Sequence, residues 1–315
     1  MTALLLGALG LTLSLLAPGL LAAARWPDRA PAAAVVLWQS ITLAGVLCAL
    51  GVVLAGPQEL VSELGSGQLG SGQLGSGRPV GVVALIAALA VAAVIVVRLL
   101  VSLVRVSVHS RARRARHRLL VDLLDSAERH GALPAEVPEG LRVLDGPLPF
   151  AYCLPGRSPR VVLSGGALRV LDAAQVAAVI AHEQAHLRHR HDVVMESFTA
   201  FYRAVPRPLR SRAPLDAVHV LLEMVADDAA RRRCGAAPLR TALELLGDAV
   251  NPDALPEAAG AAEDRRRRLA RLAGADSRSV GLAALAVTMA AGLLVLPTVI
   301  LVLPWLDRAL SAWPL

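Results

Sequence analysis

Four stretches of this chain, at about 3–24, 35–55, 80–104 and 280–303, are long and apolar enough to cross a bilayer. A hydrocarbon core about 30 Å thick asks for roughly 20 apolar residues in a helix. The whole chain of 315 residues agrees: 55% hydrophobic, only 3% aromatic and a mean hydropathy of +0.56 leave too little polar surface for an ordinary soluble domain. The first stretch has no basic residue before it, and its apolar run exceeds that of a signal peptide, so it reads as a retained span. Trp26, Trp38, Trp305 and Trp313 fall at or near the ends of these stretches, at headgroup level.

The basic residues orient the spans. All 32 are Arg, and they give a net charge of +7. "RVSVHSRARRARHR" at 105–118 follows the third span, and "RRRR" at 265–268 with Arg271 and Arg278 precedes the fourth. The positive-inside bias therefore places the long third loop in the cytoplasm and both termini outside. Arg25 and Arg29 then lie inside, whereas 56–78 carries Glu59, Glu63 and only Arg78 outside. Arg98, inside the third apolar run, is expected to snorkel to the interface. Because the Arg runs flank spans, lipid headgroups explain them without nucleic acid, which is not expected as a partner.

The chain divides accordingly. Residues 1–104 hold three spans and a Gly/Ser repeat at 64–77 that reads as a flexible tether. Residues 280–315 hold the fourth span and a tail of about a dozen residues, with no extracellular sensor expected. Only 105–279 can bury a core of its own. Within it an Arg-rich helix is expected over 111–131, then strands at 141–145, 149–154 and 160–164, the last two as a hairpin across "PGRSP". A long helix starts at Asp172, with Gln175 in the reciprocal capping position, and another runs from about Pro214 to Arg233. Cys48, Cys153 and Cys234 lack CxxC spacing and read as reduced and structural.

Residues 181–192, "AHEQAHLRHRHD", hold four of the eight histidines. On a helix His182 and His186 lie one turn apart on one face, able to aim two imidazoles at one Zn2+ ion, with Glu183 beside it. Zinc there activates water near neutral pH, and Glu183 can take the proton of the attacking water and return it to the leaving amine. The charged "HLRHRHD" directly after the motif excludes a membrane-spanning zinc helix. A third ligand is needed. Glu223 is the best candidate, with Asp227 one turn further on the same face, placed to accept the outer N–H of a ligand histidine. Asp192 ranks below it: with no Gly between 167 and 234, a continuing helix carries Asp192 about 240° around from His186. His219, one turn before Glu223, is a candidate oxyanion stabiliser, with plain packing as its simpler reading. His189 and His191 are expected on the basic outer surface.

Four spans, a long loop between the third and fourth, "AHEQAHLRHRHD" and Glu-x-x-x-Asp at Glu223–Asp227 together resemble the BlaR/MecR-like membrane metallopeptidases, a gluzincin group. "YCLPG" and "VVLSGGAL" at 152–168 resemble the segment before its zinc helix. The resemblance implies His182, His186 and Glu223 as zinc ligands, Glu183 as general base and Asp227 behind a ligand. Sensor members end in an extracellular penicillin-binding domain, which is not expected here, and they tend to carry an acid where this chain has His191. HtpX-type quality-control proteases share the same zinc logic.

The expected molecule is therefore membrane α-helical, with four transmembrane helices and a cytoplasmic α+β zincin-like metallopeptidase domain. It would sit in the cell membrane and cleave a protein or peptide substrate, which in sensor relatives is a transcriptional repressor. A non-catalytic scaffold that keeps zinc for folding is the rival from another class.

Overall fold

The computed structural model describes residues 2–65, 78–124, 140–205, 207, 210–248, 257–274 and 279–311. Most of the Gly/Ser repeat, the expected helix end near Gly131, Arg278 and Trp313 lie outside the described residues.

Among the described residues, four helices or helix pairs are long and apolar enough to span, at Thr2–Ala23, Pro31–Pro57, Ile86–Leu124 and Val280–Leu303. The first is split into α1 (Thr2–Leu15) and α2 (Ala17–Ala23), because Pro18 has no N–H to continue the ladder. α3 (Pro31–Gly65) carries the second span. α4 (Arg78–Leu124) has 47 residues and carries the third. At 1.5 Å per residue it is about 70 Å long, more than twice the hydrocarbon thickness. The Arg-rich segment after residue 105 is thus the same helix continuing out of its apolar part, not a separate one.

Three short strands follow: β1 (Leu141–Leu144), β2 (Ala151–Leu154) and β3 (Arg160–Ser164), in sheet order β1-β3-β2. β2 and β3 form the expected antiparallel pair, with Tyr152 opposite Val162. β1 joins β3 in parallel, with Val143 opposite Leu163. Ser164 caps α5 (Gly165–Val170) by accepting from Ala167 N at 3.0 Å. A side chain at position 166 would collide with Pro147 O, so Gly166 is required there.

α6 (Ala173–Arg188) opens on the predicted capping box: Gln175 N donates to Asp172 at 2.8 Å and Asp172 N to Gln175 at 3.0 Å. Val176, Val179 and Ile180 bury its other face against Leu141, Val161 and Leu163 of the sheet. The expected long helix does not continue. It stops at His189, Arg190 adopts a left-handed conformation (φ 52°), and α7 (His191–Ala204) leaves in a new direction. α8 (Ala213–Cys234), α9 (Ala236–Asp248), α10 (Glu257–Ala273) and α11 (Val280–Ser311), which carries the fourth span, follow among the described residues.

The spans and the later helices share a core. Ala34, Val35 and Trp38 at the start of α3 are buried with Phe198 of α7 and with Val218, Leu221, Leu222 and Met224 of α8. Trp38 and Phe198 meet edge to face at 6.4 Å between centroids. Within the third span, Arg98 Nε donates at 2.7 Å to Ala204 O, the last carbonyl of α7, while Ser102 Oγ donates at 2.7 Å to Ala200 O. A cation at a helix C-terminus is favourable, so one contact satisfies both groups.

Candidate metal centre

α6 and α8 bring the sequence-predicted residues together. One ligand atom each from His182, His186 and Glu223 lies within 4.8 Å of the others. The two Nε2 atoms are 3.1 Å apart, His182 Nε2 is 3.4 Å from Glu223 Oε2, and His186 Nε2 is 3.3 Å from Glu223 Oε1. Ligands about 2.0–2.1 Å from a tetrahedral zinc stand about 3.3–3.4 Å apart, so the triangle has the size of one face of that polyhedron.

Contacts at the outer nitrogens hold both rings in place. His182 Nδ1 lies 3.0 Å from Asp227 Oδ1, and an ionised carboxylate only accepts, so the proton sits on Nδ1. His186 Nδ1 lies 2.8 Å from Nδ1 of His191, which is 5% exposed and which burial holds neutral, at about 3. This contact holds the His186 ring from its outer side, as Asp227 holds His182. Two Nε2 atoms and a carboxylate oxygen thus face one point, the donor set that a Zn2+ ion would take.

Arg268 completes the carboxylate side. Its Nε and Nη2 donate to Asp227 at 2.8 and 2.7 Å, and its Nη1 lies 2.9 Å from Glu223 Oε2. Burial alone would raise the Glu223 carboxyl, but His182 and Arg268 hold it well below the usual range. Burial pushes Glu183 up, with the Cys153 thiol as its hydrogen-bond partner. Burial also pushes His186 down to about 4, whereas Asp227 and Glu223 overcome it at His182 and raise that ring to about 9.

A cavity of about 190 Å3 opens beside the triangle, lined in part by Cys153, His186, His191, His219, Met195 and Glu223. His219 is exposed at its edge. Asp192 is outside the ligand triangle and pairs with Arg114 at 3.3 Å. Three residues were missed from sequence. Arg268 reads in the sequence only as part of a topology signal. His191 faces His186 and not the outer surface that the sequence suggests. Cys153 meets the Glu183 carboxyl, a contact that no spacing in the sequence marks. His189 is exposed, as expected.

The profile of Peptidase family M48 matches residues 111–273, a little over half of the chain, and includes both helices of the centre. The chain belongs to peptidase family M48. This family of metallopeptidases accounts for the His-His-Glu set. A Protease HtpX homolog of Thermoplasma acidophilum is 46% identical over 52 residues, 16% of each chain. A second, from Acidiphilium cryptum, is 36% identical over 87 residues, 27% of this chain and 29% of the relative. The M48 chain thus matches less than a third of the length of these curated relatives. Both are named for HtpX, and the narrower BlaR/MecR likeness finds no support in them. No solved structure matches the chain.

Proposed function

We propose that this M48 chain is an integral membrane zinc endopeptidase that hydrolyses a peptide bond in a cytoplasmic or membrane-near protein. The observation that carries the reading is the triangle of His182, His186 and Glu223 at tetrahedral spacing, with Glu183 on the same helix and Asp227 behind His182. Bound there, zinc supplies Lewis acidity, polarising a carbonyl and making water nucleophilic near neutral pH. Glu183, its carboxyl raised by burial, accepts the proton of the attacking water and passes it to the leaving amine, so one C–N bond breaks and two chain ends form. Asp227 and His191 hold the two imidazoles at their outer nitrogens and leave both Nε2 atoms to the metal, and Arg268 holds Asp227 and Glu223 in their charged forms. His219, at the cavity edge, is the group we assign to the developing oxyanion. An extended substrate can add to β2, whose outer edge no strand covers among the described residues.

The exposed Arg111, Arg113 and Arg116 support a cytoplasmic centre, with the spans in the cell membrane and both termini outside. We keep 105–279 as the peptidase region. A repressor as substrate extends the BlaR/MecR likeness. The relatives named for HtpX favour a second reading, an HtpX-like membrane quality-control protease. The test compares wild type with Glu183→Gln in membranes. Zinc in both, with proteome fragments only from wild type, is expected. Equal zinc with identical proteomes would leave a zinc-holding scaffold instead.

A further inference from the structure

A second concavity, a groove of about 740 Å3, runs between α4 and α7 and shares Asp192 and Met195 with the cavity beside the metal triangle. Leu154, the last residue of the edge strand β2, lines it as well. Its charged lining is unbalanced. Arg114 takes both acidic groups, Asp192 at 3.3 Å and Glu196 at 2.6 Å. Arg113, Arg116 and Arg203 also line it, all exposed, and their guanidiniums meet no carboxylate among the described residues.

We infer that this groove seats an acidic segment of the substrate next to the scissile bond, so that the enzyme selects chains carrying Asp or Glu on one side of the cut. The inference rests on the peptidase reading for what the occupant is. Three observations favour a peptide over lipid headgroups. The groove adjoins the metal-side cavity, with Asp192 and Met195 lining both. Its length along α4, from Val106 to His117, is about 16 Å, which suits about five extended residues. Counting from Arg105, the first charge after the apolar run, Arg113 and Arg116 lie about 12 and 16 Å further along the helix, beyond a headgroup layer of about 5–7 Å.

The test uses the full chain in phosphatidylcholine nanodiscs, with and without phosphatidylglycerol. Three labelled peptides share one apolar centre and differ in a five-residue flank of Glu, Gln or Lys. Binding is measured on Glu183→Gln protein, where no turnover interferes. The Glu-flanked peptide is expected to bind about tenfold tighter than the Gln-flanked one in low salt, with the gap closing as salt screens it. Arg113→Glu/Arg116→Glu, both on an exposed helix face, should invert the order in favour of the Lys flank, with zinc content confirming the fold. Equal affinities, an order that survives the charge reversal, or a reversal that alters only phosphatidylglycerol retention overturns the inference. Cleavage by wild type is scored separately: the binding preference without any fragments would refute the peptidase reading and leave the acidic-segment groove standing.

Discussion

Asp227 shows how one side chain sets the state of a metal ligand. At 1% exposure it is ionised by Arg268 and holds the His182 proton on Nδ1. Replacing it by Asn removes the charge and allows the amide to face His182 with either group. Zinc affinity is therefore expected to fall about 10–100-fold in chelator competition, with the fold kept. His182 also predicts a pH dependence. Its ring is raised to about 9 and His186 lowered to about 4, so across the range between them the metal-free centre carries one proton that zinc must displace. The apparent Kd should improve about tenfold per pH unit between roughly pH 5 and 8 and level off above about 9. A flat profile would contradict it. His182, Glu183 and His186 were legible as an HExxH motif on a helix, and Glu223 and Asp227 from their own one-turn spacing read beside it. Arg268 was not: it reaches the centre across 41 residues from Asp227, and no local period marks it among neighbouring arginines.

The junction of α6 and α7 is where reading by elements fell short. Without Gly the sequence predicts one continuous helix, yet Arg190 takes φ 52° and the chain turns. The reason is tertiary: the turn lets His191 reach His186 and sets Asp192 and Glu196 against Arg114. A non-glycine residue there costs about 1–2 kcal/mol, which these contacts offset. Arg190→Gly, at an exposed side chain with only a distant contact to Asp192, should therefore stabilise the protein by up to about 1 kcal/mol and raise its Tm in detergent, with zinc affinity unchanged. Loss of stability would mean that the Arg190 side chain, not its backbone, holds the turn. The hairpin, the capping box and the spans were readable because local rules fix them. The parallel β1–β3 pairing needs contacts distant in sequence and was not.

At the scale of the whole molecule, the boundary between 104 and 105 is one of composition, not of structure. α4 runs through it unbroken, and the core under Glu223 is built from both sides, with Leu222 and Met224 buried together with Ala34, Val35 and Trp38. The metal ligand thus rests on the second span, which ties the depth of the centre to the bilayer surface. α10 makes a further tie: beside Arg268, Arg267 pairs with Asp28 at 2.6 Å, and Arg271 binds Asp228 and donates to Asp28 O at 2.8 Å, fastening the loop before α3. A fragment of 105–279 alone would expose the α8 face that Trp38 covers and leave Arg267 without its partner. It is expected to aggregate or to bind zinc far below one equivalent, whereas the full chain binds one. In the full chain Trp38→Ala removes the largest fully buried side chain among the described residues, at a cost of about 3–5 kcal/mol, and should lower the Tm and the zinc content together. A soluble fragment holding one zinc, or a Trp38→Ala protein with normal zinc content, would show that the centre does not depend on the span beneath it.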